Sequence, residues 1–314
     1  MSTSGEETLA KMPEPLRKAL DDYVNEKHSD CLITVTALKM EPKAFALSEL
    51  GRKLMPLEQL VNDSTLMLQG TSIHNWMEKN LLPHIVKAEG KGEDTLWLLE
   101  KELRIKIAMD PTKQPGDGSP FFELGGTLDL YDLANRHLYD FKLMNNFKLG
   151  KAAADYSPQL NAYRVMLRAS GFPEPEKLSL VEISRDFSDP AKGGRSQNDF
   201  PWAIEDVPVD QDITEPVLAQ LARDRVRAKL QLREAWKNMK PTPALRLRAA
   251  EGLGDQLPPC PGEYVNEWGT LPGGVGRKCM YCAARICCNQ MKGGAGVGAE
   301  HVAAKPKRTR SKKS

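Results

Sequence analysis

The chain has 314 residues, 40% of them apolar and 6% aromatic, enough for one large or two small domains of ordinary water-soluble composition. No run of about 18 or more apolar residues occurs, so no stretch reads as a membrane-spanning helix. The opening M-S-T-S-G-E-E-T lacks the basic and apolar parts of a secretory leader. The expected location is therefore cytoplasmic, where six cysteines serve a metal more readily than disulfides. The formal charge of +2 is unevenly spread. Lys292, Lys305, Lys307, Arg308, Arg310, Lys312 and Lys313 stand within 291–314 against Glu300 alone. Of the 44 basic and 42 acidic residues, the rest of the chain keeps 37 and 41 and is net acidic. Any basic groove must come from local clustering.

Residues 1–30 read as a polar, partly helical extension that includes P-L-R-K-A-L-D-D-Y-V. From Ile33 the sequence predicts a short strand or turn leading into a helix ending near Leu50. Leu66 to Val86 has apolar residues at 66, 73, 76, 77 and 81, a helical face, with Pro83 ending or kinking it. Glu93 to Ala108 reads as a strand, and Met109 to Ser119 as a Pro/Gly loop. Phe121 to Tyr131, a polar turn at Asp132 to Arg136, and His137 to Leu143 then read as a β-hairpin. A period of two places Asp140 and Lys142 on one face of their strand and Phe141 on the other. Pairing across the turn brings Asp129 near Asp140. Two carboxylates and a lysine on one half-buried patch are costly unless a divalent cation joins them.

Asn145 to Asp155 is polar and carries Lys148 and Lys151, candidate phosphate contacts. A helix is predicted from Ser157 to Arg168, with Ser157 as N-cap and Pro158 in first helical position. Gln159 and Tyr163 share its face. Glu176 to Ser184 reads as a strand and Asp186 to Asp210 as a loop. Thr214 to Lys237 reads as a long helix whose Arg223, Arg225, Arg227 and Arg233 form a solvated face. Beyond it, Cys279 and Cys282 form a C-x-x-C pair, Cys288 follows after five residues, and Cys260 lies nearby. Thiolates at this spacing suit zinc or an iron–sulfur cluster. So few apolar residues make a metal the expected source of local order. The G-G-A-G-V-G stretch and basic tail are expected to be disordered, the tail adding phosphate affinity or only solubility.

Four motifs in this order carry a resemblance: Gly70 to His74 (G-x-x-x-H), Gly126 to Asp129 (G-x-x-D), Asp140-Phe141-Lys142 (D-x-K) and Gln159 to Tyr163 (Q-x-x-x-Y). Together they resemble the PD-(D/E)XK nuclease superfamily, in particular RecB-like, phage-type exonucleases, whose iron–sulfur members share the C-x2-C-x5-C spacing. The resemblance implies an α/β fold: a restriction-endonuclease-like core with a central mixed sheet flanked by helices, plus a cysteine-ligated metal region. It implies that His74, Asp129, Asp140 and the Phe141 carbonyl bind Mg²⁺ or Mn²⁺. Lys142 would orient or deprotonate the attacking water, while Gln159 and Tyr163 would steady the hairpin and contact the DNA backbone. Cys260, Cys279, Cys282 and Cys288 would hold a 4Fe-4S cluster or Zn²⁺. Here the chain departs from the family, whose fourth cysteine is N-terminal; Cys31 is the alternative to Cys260, and Cys287 the alternative to Cys288.

The implied organisation is an extension at 1–30, a nuclease core with appended helix at 31–245, a cysteine-rich region at 246–290 and a tail at 291–314. The implied activity is metal-dependent DNA hydrolysis in phage or prophage recombination, repair or processing, in a host cytoplasm if phage-encoded. No P-loop occurs in the sequence, so a helicase or recombination partner would be a separate polypeptide. The rival readings are an inactive nucleic-acid-binding module of the same fold and a zinc-dependent interaction protein.

Overall fold

The computed structural model describes residues 12–15, 17–18, 31–55, 59–60, 72, 75–81, 84, 96–145, 148–184, 202–242, 245–261, 282, 284 and 288. His74, Cys279, Cys287 and the basic tail lie outside them. The chain divides into two compact units, Met1–Met40 with Met55–Arg227, and Glu41–Leu54 with Ala228–Ser314. The fold is α/β, with a mixed sheet flanked by helices.

In the first unit, β1 (Ile33–Thr34) leads into a short 3-10 helix, Val35–Lys39. The strands β2 (Trp97–Ala108), β3 (Phe121–Asp132), β4 (His137–Met144), β5 (Lys177–Ser184) and β6 (Trp202–Val207) complete the sheet. β3 is antiparallel to β2 along its length and meets β1 in parallel at Leu124 and Gly125. β3 and β4 form the expected hairpin, β4 and β5 run parallel, and β6 is antiparallel to β5. β5 is buried along almost its whole length, as expected of a strand covered on both faces. Leu130, Phe141, Val181 and Ile183 pack with Met77 on one face. Helix α2 (Ala153–Ala169) contacts β4, β5 and β6.

Three expectations about these elements are corrected. Ser157 is not an N-cap, and Pro158 lies inside α2, which begins four residues earlier. The early start has a distant cause: Oε2 of Glu205, on β6, accepts the N–H groups of Ala152 at 2.7 Å and Ala153 at 2.9 Å. That carboxylate supplies what a local cap would have supplied. The supposed loop at Asp186 to Asp210 contains β6, a short strand at the edge of the sheet.

The third correction concerns α3 (Glu215–Met239). Of its four arginines, Arg227 and Arg233 are exposed as expected, but Arg223 is half-buried and Arg225 buried. Arg225 is 6% exposed and donates to the carbonyls of Met40 at 2.7 Å and Leu38 at 2.8 Å. Arg223 donates to the Ala108 carbonyl and Arg227 to that of Met109. Each satisfies carbonyls left open where an element ends, the 3-10 helix for Arg225 and β2 for Arg223 and Arg227.

In the second unit, α1 (Pro42–Leu54), the end of α3 and α4 (Arg246–Asp255) share a small core. Ala46, Leu47, Leu50, Leu232, Leu253, Leu257 and Cys288 form it. Arg233 and Lys53 both pair with Glu49, at 2.5 and 2.9 Å. Burial works against the Glu49 charge, but these two cations hold its carboxyl down at about 2.

Candidate active site

The hairpin ladder between β3 and β4 runs from Asp132↔His137 to Leu130↔Tyr139 and stops there. The next position on each strand carries an aspartate, Asp129 and Asp140. Asp129 Oδ2 accepts the N–H of Phe141 at 2.6 Å, taking the place of a strand partner. In an antiparallel pair one residue's N–H and C=O face the same neighbour. The Phe141 carbonyl is thus released from the ladder on the side where Asp129 stands. A carboxylate wedged into the hairpin both splays the strands and leaves a main-chain oxygen available beside it.

Asp140 is 2% exposed and Asp129 6%. Asp140 Oδ1 accepts from Gln159 Nε2 at 3.2 Å, and its Oδ2 lies 2.5 Å from Lys142 Nζ. Lys142 Nζ also donates to the Phe141 carbonyl at 3.2 Å. Burial disfavours the Lys142 charge, but Asp140 and then Asp129 outweigh it, so its pKa lies above the usual lysine value. Tyr163 donates to the Thr127 carbonyl at 2.8 Å. Burial, and then the charges of Asp140 and Asp129, push its hydroxyl far up. Asp129, Asp140, Lys142, Gln159 and Tyr163, expected together from sequence, are brought together, and the Phe141 carbonyl lies with them. Lys148 instead pairs with Asp155 at 2.7 Å, and Lys151 is exposed.

The glycine of G-x-x-D has a spatial reason. A Cβ at Gly126 would stand 2.9 Å from both Cε1 and Oη of Tyr163, and 3.0 Å from Val35 Cγ2. Gly126 and Tyr163, one from each of two motifs, are complementary surfaces of one contact. Gly126→Ala should cost about 1–3 kcal/mol by overpacking, read as a lower urea midpoint; an unchanged midpoint would contradict this contact.

Two groups escaped the sequence reading. Tyr156 lies one helical turn before Gln159, with Lys39 Nζ 3.7 Å and Lys142 Nζ 5.5 Å from its ring centre. Its i, i+3, i+7 spacing with Gln159 and Tyr163 was the available signal. Glu182 is fully buried, opposite Lys142 in the β4–β5 register, and accepts the Gly150 N–H. With Glu205 it clamps the segment that enters α2. Burial first, and the neighbouring Glu205 as well, raise the Glu182 pKa above its ordinary 4.5.

A carboxyl raised on folding favours the folded state most at low pH. That contribution is lost as pH rises from about 4.5 through the folded-state value. Glu205→Gln keeps an acceptor for Ala152 and Ala153 while removing the second charge. Thermal melts from pH 5 to 9 should show a smaller loss of stability with rising pH than in wild type; parallel curves would exclude the coupling.

The donor set suits a hard divalent cation: two carboxylates and a carbonyl, with Gln159 Oε1 buried and lacking a hydrogen-bond partner among the described residues. Mg²⁺ is commonly held by one or two carboxylates plus water and substrate phosphate. Among the described residues no three His, Cys, Asp or Glu side chains are grouped to hold an ion. In the second unit, Cys260 and Cys288 are buried and Cys282 half-buried. Burial, then Cys288 and Cys282, push the Cys260 thiol up to about 12. Cys31 belongs to the first unit, and its Sγ lies only 2.4 Å from where a Cβ on Gly125 would stand.

No protein-family model and no curated protein matches the chain. Among solved structures it is similar to SSO0001, with 18% identity and a TM-score of 0.40 over 74% of this chain and 90% of that one. No helix among the described residues is long and apolar enough to cross a membrane.

Proposed function

We propose that the chain is a metal-dependent DNA nuclease of the PD-(D/E)XK type, acting as an exonuclease on phage or prophage DNA. The observation that carries this reading is one linked cluster: buried Asp129 holds the Phe141 N–H, Lys142 joins the Phe141 carbonyl to buried Asp140, and Gln159 donates to Asp140. An ordinary hairpin has no reason to bury two carboxylates at the end of its ladder.

Asp129, Asp140 and the Phe141 carbonyl would hold Mg²⁺ or Mn²⁺, with His74 as the ligand assigned by sequence. The cation would supply a lowered water pKa and neutralise phosphate charge. Gln159 fixes the orientation of Asp140. Lys142, kept cationic by its two aspartates, orients the attacking water and steadies negative charge growing on the phosphate. Tyr163 and Gly126 lock α2 to β3, so the hairpin keeps its splay. Cys260, Cys279, Cys282 and Cys288 would hold a structural 4Fe-4S cluster or Zn²⁺; iron would be visible as brown colour.

The test is a substrate panel: linear and circular, single- and double-stranded DNA, with Mg²⁺ or Mn²⁺ against EDTA. Metal-dependent loss of linear DNA, with circles spared, is expected. DNA binding without cleavage by the folded chain would instead establish an inactive module.

A further inference from the structure

In the second unit the end of α1, the end of α3 and the start of α4 border an open cavity of about 500 Å³, within the range of small-ligand sites. Lys53, Lys237, Lys240 and Arg246 line it, with Trp236 and Leu54. No carboxylate among the described residues lines it. Lys53 pairs with Glu49, which Arg233 shares; Lys237, Lys240 and Arg246 form no ion pair with a described residue. Outside the tail the chain is net acidic, so three uncompensated cations around one concavity are a local departure from its charge balance.

Trp236 packs its inner side on the small core of this unit and is half-buried. Arg246 is the first residue of α4, whose N-terminus has no side-chain cap and so adds donors and a positive helix end. Cations beside an aromatic ring and an apolar wall match a phosphate joined to a base: charge for the first, stacking for the second.

We propose that this cavity binds a nucleotide of single-stranded DNA, the phosphate among Lys237, Lys240 and Arg246 and the base against Trp236. The choice of a strand over a free nucleotide rests on the nuclease reading; the nucleotide chemistry does not. A duplex hides its base faces, which excludes it from the Trp236 contact.

The test uses the full chain in EDTA, which prevents cleavage, and fluorescence anisotropy of an end-labelled oligothymidylate of about twelve nucleotides. K237E/R246E should bind at least tenfold more weakly, with a salt slope shallower by roughly 0.7 per lost phosphate contact. Trp236→Leu, which keeps the packing apolar, should lose about tenfold with an unchanged slope. Both are checked for wild-type unfolding midpoints, and the charge reversals sit at exposed positions. Wild-type affinity and slope in K237E/R246E would overturn the site. Displacement by thymidine 5′-monophosphate as tightly as by unlabelled oligothymidylate would overturn the strand assignment in favour of a free nucleotide. Because binding is read without metal, these outcomes are independent of whether the wild type cleaves DNA.

Discussion

Asp140→Asn should reduce metal-dependent DNA cleavage on the order of 10³-fold while leaving a folded protein. The amide preserves the volume of the carboxylate and can still accept from Gln159 Nε2, now 3.2 Å from Asp140 Oδ1. It cannot carry the charge that a cation and Lys142 both need. Removing the 2.5 Å contact with Lys142 should cost about 1.5–3 kcal/mol of stability, within the 5–15 kcal/mol typical of a domain. Circular dichroism and a urea midpoint establish the fold before activity is scored. An Asp140→Asn chain cleaving at wild-type rate would remove Asp140 from the site.

Arg164→Ala should produce the largest stability loss, about 3–5 kcal/mol, with the urea midpoint falling accordingly. Arg164 is 2% exposed. It pairs with Glu174 and donates at 2.8 Å to the carbonyls of both Asp210 and Ile213. Alanine leaves a cavity, two carbonyls without their arginine donor and a Glu174 carboxylate held by Arg168 alone. Asn161, fully buried one turn earlier, binds the same segment through Pro208 and Asp210; together these side chains fasten the turn after β6 onto α2. By contrast, Arg104→Ala should cost under about 1 kcal/mol, because its partners Glu102 and Glu123 are solvent-accessible. Equal losses for the two arginines would contradict this ranking.

The hairpin was readable because its signals are local. Alternation set both strands, the polar turn set their register, and a period of two put Asp140 and Lys142 on one face. The resemblance implied that Gln159 steadies the hairpin; its contact with Asp140 appears only in the structure. What local reading missed depends on partners far away in the chain. The start of α2 is set by Glu205, about fifty residues later, so Ser157-Pro158 drew the boundary to the wrong place. β6 has little apolar pattern of its own and exists by pairing with β5. Arg225 resembles any helix arginine until Leu38 and Met40 present it with open carbonyls. The need for Gly126 is visible only once Tyr163 lies against it. His74, Cys279 and Cys287 lie outside the described residues, so their proposed ligand roles rest on sequence.

The decisive measurement is cleavage of linear DNA in Mg²⁺ by wild type beside Lys142→Ala. Lys142 is not among the expected cation ligands, so its loss tests the chemistry itself. Metal-dependent cleavage by wild type, abolished in a folded Lys142→Ala chain, is the predicted result. A soluble Lys142→Ala chain with full activity would contradict the assignment of this hairpin as a nuclease active site.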